Sequence, residues 1–325
     1  METGESLPAV YSQITTAGQQ LPGLNEQQQK AREFYESGLY GAPNSKKAYQ
    51  SDVKQYLAWY HHKGYEALPS TSQALAEYMT ELSTDKGYFT LQRRLASIAK
   101  YHRIHNLPSP TTHESFKLFM KGVRREKTIR QKQAMAFTLD EFRKAVDSQP
   151  LTPTGLRNRL ILLLGFTGAF RRQELVDINV ENLECRSDGV LITINHSKTN
   201  QDGVEEAKFV AKAKQEAYCP LRTLQQWLTL INRAQGPLFV RIRKGERPTL
   251  DRLSDDYVNL LTKAAFGQYY SAHSMRASFV TISKDAGVDN RKIQNQTKHK
   301  TTQMIDRYDR RRDVIYQNAS TELDL

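Results

Sequence analysis

Apolar residues recur three and four positions apart along much of the chain, the spacing of amphipathic helices. Tyr49, Val53, Tyr56, Leu57 and Tyr60 mark the first clear helix, with Lys46, Lys47 and Lys54 on its other faces. Ser45 is placed to cap it. Leu75, Tyr78, Met79 and Leu82 mark a second helix. Leu91, Leu95, Ile98 and Ala99 mark a third, with Arg93, Arg94, Lys100 and Arg103 interleaved. Pro108 and Pro110 stop it, and a fourth runs near His113 to Val123. Four short helices over residues 45–124 predict a compact helical domain.

The flanking segments read differently. Residues 1–44 are rich in Gln, Gly and Ser and predict a mostly flexible arm, with a helical stretch near Asn25 to Ser37. Lys121 to Lys132 holds six basic residues and one acid, too little apolar content for a core element. It reads either as a solvated linker or as a basic strap lying on phosphates. Thr138, with Asp140 and Glu141, opens a helix through Val146. Leu156 to Phe166 predicts a buried helix, interrupted by Gly165 and Gly168. Val190 to Asn195 and Ala207 to Ala211 alternate like strands, with turn residues Asn200 to Gly203 between them. With Asp177 to Leu183 they predict a small antiparallel sheet. From Leu221 onward the pattern is helical again. The expected fold class is mainly α.

Charge narrows the function. Residues 1–44 carry a net −3, so the remaining body holds +15 of excess basic charge. Such a body attracts polyanions, nucleic acid before membrane surface. The expected contacts are Lys46, Lys47, Arg93, Arg94 and Lys100 on the helices. Lys121, Arg124, Arg125, Lys127, Arg130 and Lys132 would supply the strap. No apolar run approaches the ~20 residues of a membrane span, and no secretory leader is expected. Two lone thiols, Cys185 and Cys219, fit a reducing compartment. His61–His62 lacks partners at zinc spacing, and no phosphate-cradling glycine loop is present. The expected chemistry therefore uses no metal, ATP or other cofactor.

Four segments in the second half carry candidate chemistry. Arg171 lies three residues before Glu174, so the two share a helix face, and Arg172 is a rival for the same place. Lys198 sits at the turn of the expected hairpin, where it reaches over a substrate or is merely solvated. His273 and Arg276 are again three apart. His299 precedes Tyr308 by nine residues, which on one helix turns ~900° and puts them on opposite faces. They converge only if the chain breaks between them, and Thr301 or Thr302 is a suitable cap for a new helix. Two Arg, one Lys, two His and one Tyr supply the acid, base, nucleophile and charge stabilisation of phosphoryl transfer.

The order Arg171…Glu174, Lys198, His273-x-x-Arg276, His299 and Tyr308 resembles the tyrosine recombinase family of the phage-integrase type. The resemblance covers the chain from residue 45 onward. It implies an N-terminal four-helix SAM-like core-binding domain at 45–124 and a basic interdomain linker at 125–137. A mostly α catalytic domain with a three-stranded antiparallel sheet would follow at 138–312, then a tail at 313–325. It implies a site-specific recombinase that cuts DNA with Tyr308, holds a 3′-phosphotyrosine and passes through a Holliday junction. Arg171 and Arg276 would clamp the phosphate, Lys198 protonate the 5′-oxygen, and His273 exchange protons with Tyr308. His299 would bond the phosphate, and Glu174 orient Arg171. The implied partner is a double-stranded DNA recombination site, bound by both domains as a clamp. A monomer in free solution would assemble as a homotetramer on two sites, with the tail donated to a neighbouring protomer. The expected location is cytoplasmic in a bacterial, phage or plasmid setting and nuclear in a eukaryotic one.

Two features depart from the family pattern. Ala169 and Phe170 separate Gly168 from Arg171, where the family often has one residue. Lys298 stands before His299, where the family often has Gly. Tyr316 is a rival nucleophile, 17 residues after His299. A type IB topoisomerase would share the chemistry but usually carries Lys in place of His273. A DNA-binding protein without catalysis is the third alternative.

Overall fold

The computed structural model describes residues 25–127, 133–194, 206–299 and 301–306. Lys198, Tyr308, Arg130, Lys132, Tyr316, the turn at 200–203 and the tail lie outside the described residues. The chain divides into two compact units, Met1–Gln131 and Lys132–Leu325.

Five helices build the described part of the first unit: α1 Glu26–Tyr40, α2 Pro43–Lys63, α3 Ser72–Ser83, α4 Tyr88–Ile104 and α5 Glu114–Glu126. The helical stretch expected near Asn25 to Ser37 is present as α1 and runs on to Tyr40. Asn25 accepts from the Gln28 backbone, Gln28 answers to the Asn25 backbone, and Tyr40 is buried in the core at the far end. Helix α2 starts at Pro43, ahead of Ser45, because proline presets the backbone angle of a first helical residue. The core is unusually tyrosine-rich. Tyr56, Tyr60 and Tyr78 are almost fully buried, and their hydroxyls reach Ala67 O, Ser70 and Arg94 respectively.

The second unit is built on α7. Helix α6 spans Leu139–Asp147, capped by Thr138 and Glu141 acting reciprocally. Helix α7 spans Pro153–Thr167; from Leu160 to Phe166 it is apolar on every side, and Leu160 to Leu164 are wholly buried. A helix hydrophobic all round must be enclosed. Around it lie α8 Arg172–Asp177, α9 Pro220–Ile231, α10 Asp255–Phe266 and α11 Ala272–Asp285. Gly165 allows α11 to come close, since a Cβ there would lie 2.7 Å from the Met275 sulfur. Helices α12 Asn290–Thr297 and α13 Gln303–Asp306 follow.

A three-stranded antiparallel sheet has the order β1 Leu183–Cys185, β2 Gly189–Ile194 and β3 Glu206–Ala211. Val190 faces Val210 and Ile192 faces Lys208 across the β2–β3 pair. A second antiparallel pair, β4 Val240–Arg243 and β5 Arg247–Arg252, interrupts the helical run expected after Leu221. Gly245 and Glu246 adopt positive φ in its turn, the backbone that a tight hairpin requires. The fold is mainly helical, as expected. No helix among the described residues is long and apolar enough to cross a membrane.

Candidate active site

The site is assembled around the turn that ends α7. Gly168 closes the helix by donating to Leu164 O at 2.8 Å. Ala169 then takes a left-handed conformation, φ 45°, and Phe170 folds back into the core. A Cβ on Gly168 would sit 2.1 Å from the Phe170 ring, so only glycine fits there. The extra residue in this segment is thus absorbed by a left-handed turn and a buried phenyl group.

Arg171 follows as the residue before α8. Its backbone N–H donates to Glu174 Oε2 at 3.0 Å, and its guanidinium pairs with Glu174 Oε1. Burial raises the Glu174 pKa, but Lys208 and Arg171 outweigh it and hold the group below the usual carboxylate range. Arg172 turns elsewhere. It pairs with Asp255 and Asp256 at 3.0 Å each, at the start of α10. Of the two rivals, the structure brings Arg171 to the cluster.

Three consecutive carbonyls of the turn are each met by a side chain from another element. Gln296 of α12 donates to Thr167 O at 2.9 Å. Lys208 of β3 donates to Gly168 O at 3.0 Å and Ala169 O at 3.2 Å. Arg276 of α11 donates to Ala169 O at 2.8 Å. These carbonyls form the negative end of α7, where cations are favoured. Arg276 is 1% exposed, so its guanidinium is fixed by the protein around it.

His273 lies one turn before Arg276 at the exposed rim of the cluster. Protein packed on its inner side, then Arg276 and Arg171, lower its pKa. His299 is buried. Its Nδ1 is 2.9 Å from Thr297 Oγ1, and its carbonyl accepts from Gln294 Nε2 at 2.9 Å. Burial, Arg276 and Arg171 lower its pKa to about 3, so it is a neutral imidazole at physiological pH. Lys298 adopts φ 52° and donates to Asn295 Oδ1 at 3.1 Å. A left-handed position is where glycine is favoured, so lysine here carries a backbone cost.

Helix α12 stops at Thr297 and α13 starts at Gln303. The break needed between His299 and the segment of Tyr308 is therefore present. Ile305 anchors α13 by packing with Val280 and Ile293.

The basic residues expected on DNA divide into several groups. Lys47, Lys121, Arg124 and Arg125 are exposed. Lys46 pairs with Glu36, Arg93 pairs with Asp52, Lys100 donates to Leu39 O and Lys127 to Ser83 O. Arg94 must be corrected: it is 5% exposed and donates to Tyr78 and Gln55, because it lies on the buried stripe with Leu91, Leu95 and Ile98.

Lys208 and Gln296 were not expected at the site. Lys208 stands in the inward register of β3 with Val210, a charged residue where the pattern demands an apolar one. That mismatch is its sequence signal. Gln296 has none.

Two guanidiniums and two low-pKa imidazoles around one turn suit a phosphate whose charge grows during reaction. Residues 132–313 match the model of the phage integrase family. The chain belongs to this family of tyrosine recombinases. This phage integrase family member is 31% identical over 290 residues to an integrase/recombinase xerD homolog of Selenomonas ruminantium, covering 86% of this chain and 84% of that one. It is 24% identical over 284 residues to recombinase cre of Escherichia phage P1, covering 81% and 79%. Its fold resembles the XerH site-specific recombinase bound to palindromic difH substrate in a post-cleavage complex. The TM-score is 0.62 at 15% identity, with coverage of 93% and 86%.

Proposed function

We propose that this chain is a site-specific DNA recombinase that cuts and rejoins strands through Tyr308. One observation carries the reading: Arg171, Arg276, His273 and His299, far apart in sequence, converge on the end of α7 with Glu174 behind them. Arg171 and Arg276 bind the scissile phosphate. The Tyr308 oxygen attacks phosphorus and its proton passes to His273. The bond to the 5′-oxygen breaks, and Lys198 gives that oxygen a proton. His299 bonds a phosphate oxygen. The freed 5′-hydroxyl attacks the phosphotyrosine of a partner strand, restoring a phosphodiester and the tyrosine and leading through a Holliday junction. Bond energy is conserved, so the scheme needs neither nucleotide nor metal.

The DNA partner is a double-stranded recombination site, contacted through Lys47, Lys121, Arg124 and Arg125 among others. Four protomers on two sites form the synapse, and residues 313–325 pack on a neighbour. The relatives named above support this reading. The test begins with random-sequence duplexes selected by the Tyr308→Phe variant. The selected site is then built into a nicked suicide duplex. The wild-type chain is expected to form a covalent adduct on it and to exchange strands between two copies. A chain that binds the site without forming an adduct is not a recombinase.

A further inference from the structure

Lys208 is a cation that cannot serve as a DNA-facing charge. Its side chain is 1% exposed, and it stands opposite Ile192 on the inner face of the sheet. An ammonium in such a place is unstable unless its surroundings repay the lost hydration. They do so in part, in four ways, although burial still lowers its pKa to about 7. Nζ donates to Gly168 O and Ala169 O, lies 3.6 Å from Glu174 Oε2, and sits 4.5 Å from the centre of the Phe170 ring. It also occupies the negative end of α7. Every one of these groups belongs to the segment that presents Arg171.

We infer that Lys208 is a positioning residue for DNA cleavage, holding Glu174 and the 168–169 turn so that Arg171 and Arg276 address one phosphate. The inference rests on the recombinase function proposed above. Glu174 divides its oxygens: Oε1 takes the Arg171 guanidinium, while Oε2 takes the Arg171 N–H and faces Lys208. With Lys208 present, the carboxylate charge is shared between two cations. Without it, Arg171 alone balances that charge and its guanidinium is drawn toward Glu174, away from the phosphate. Lys208 also shares the Ala169 carbonyl with Arg276. Ala169 is left-handed, a conformation that a non-glycine residue holds only when its surroundings enforce it. Removing one of the two donors frees that peptide to rotate, and Arg276 loses its fixed partner. Misplacement by about 1 Å in such a clamp slows chemistry about 100-fold without touching the substrate.

The test uses the full chain and the suicide duplex carrying the selected site. Single-turnover adduct formation at saturating protein is measured for wild type, Lys208→Met, Glu174→Gln and the double variant. Duplex affinity is measured for each in the Tyr308→Phe background, and the thermal midpoint alongside. Lys208→Met is expected to slow adduct formation about 10- to 100-fold with Kd changed less than about twofold. The double variant should be no slower than the slower single one, because both residues act through Arg171. Should Lys208→Met fail to fold, Lys208→Gln takes its place, with the same expectation. Wild-type cleavage by the folded variant overturns the inference. So does a loss of rate matched by equal loss of affinity and midpoint, or a double variant whose defects multiply. If the wild-type chain itself forms no adduct, the recombinase reading falls and this one falls with it. An active wild type with an equally active Lys208 variant removes only this one.

Discussion

Arg171 and Arg172 are neighbours whose guanidiniums bind different acids, Glu174 for the first and Asp255 with Asp256 for the second. The division predicts opposite fates on substitution. Arg171→Ala should lower adduct formation by about three orders of magnitude or more, as loss of transition-state charge stabilisation requires. Arg172→Ala removes exposed ion pairs worth about 0.2–1 kcal/mol each and should cleave within about threefold of wild type. Suicide-duplex cleavage compares the two, and an inactive Arg172→Ala beside an active Arg171→Ala would reverse the assignment.

Tyr308→Phe should abolish the covalent adduct and leave duplex affinity near wild type, since in the proposed reaction it removes only the attacking oxygen. Tyr316→Phe should still cleave. Gel-shifted, denaturant-resistant protein–DNA complexes report both. An adduct persisting in Tyr308→Phe would transfer the role to another residue.

Exposed and buried basic residues of the first unit should separate by salt dependence. Replacing Lys47, Lys121 and Arg125 together should weaken DNA binding and reduce the salt slope by about one per lost phosphate contact. Arg94→Met should lower the thermal midpoint, because Tyr78 and Gln55 lose a buried donor. It should not change the slope. Titration of affinity against salt distinguishes the two sets, and an unchanged slope in the triple variant would exclude those side chains from the phosphate backbone.

His299 predicts a pH effect on stability. Its folded pKa of about 3 lies below the ordinary value of 6.5. Between those values the unfolded chain binds the proton and the folded chain does not. Stability from this group is therefore full above pH 6.5 and is lost as pH falls toward 3. On going from pH 7.5 to 5 the loss is about 2 kcal/mol. His299→Gln should lose that much less over the same interval in denaturant unfolding. Parallel pH curves for the two proteins would mean that the imidazole is not held neutral.

The parts legible in the sequence were those set by local spacing. Arg171 with Glu174 and His273 with Arg276 follow from three-residue steps, and α2 to α5 from their apolar stripes. Convergence of those pairs on the end of α7 is a tertiary fact with no local signature. Arg94 could have been read correctly, since it falls three residues after Leu91 on the stripe that Leu95 and Ile98 continue. Lys208 was obscured by Phe209, an apolar neighbour that faces outward and so shifts the apparent alternation by one residue. The β4–β5 hairpin was hidden because β4 is four residues long and Pro248 within β5 argues against a strand. Helix α1 has few apolar residues and was legible only to Ser37; its last turn is fixed by the burial of Tyr40.

The capping of the α7 carbonyls also orders events during synthesis of the chain. Ala169 waits 39 residues for Lys208 and 107 for Arg276, and Thr167 waits 129 for Gln296. Chains fold from the N-terminus as they emerge from the ribosome. The first unit is complete long before the carbonyls at the end of α7 have their partners. A product of interrupted translation that ends before α11 therefore carries a finished first unit and no Arg276. Such a fragment leaves the Thr167 and Ala169 carbonyls without the donors that α12 and α11 bring to the end of α7.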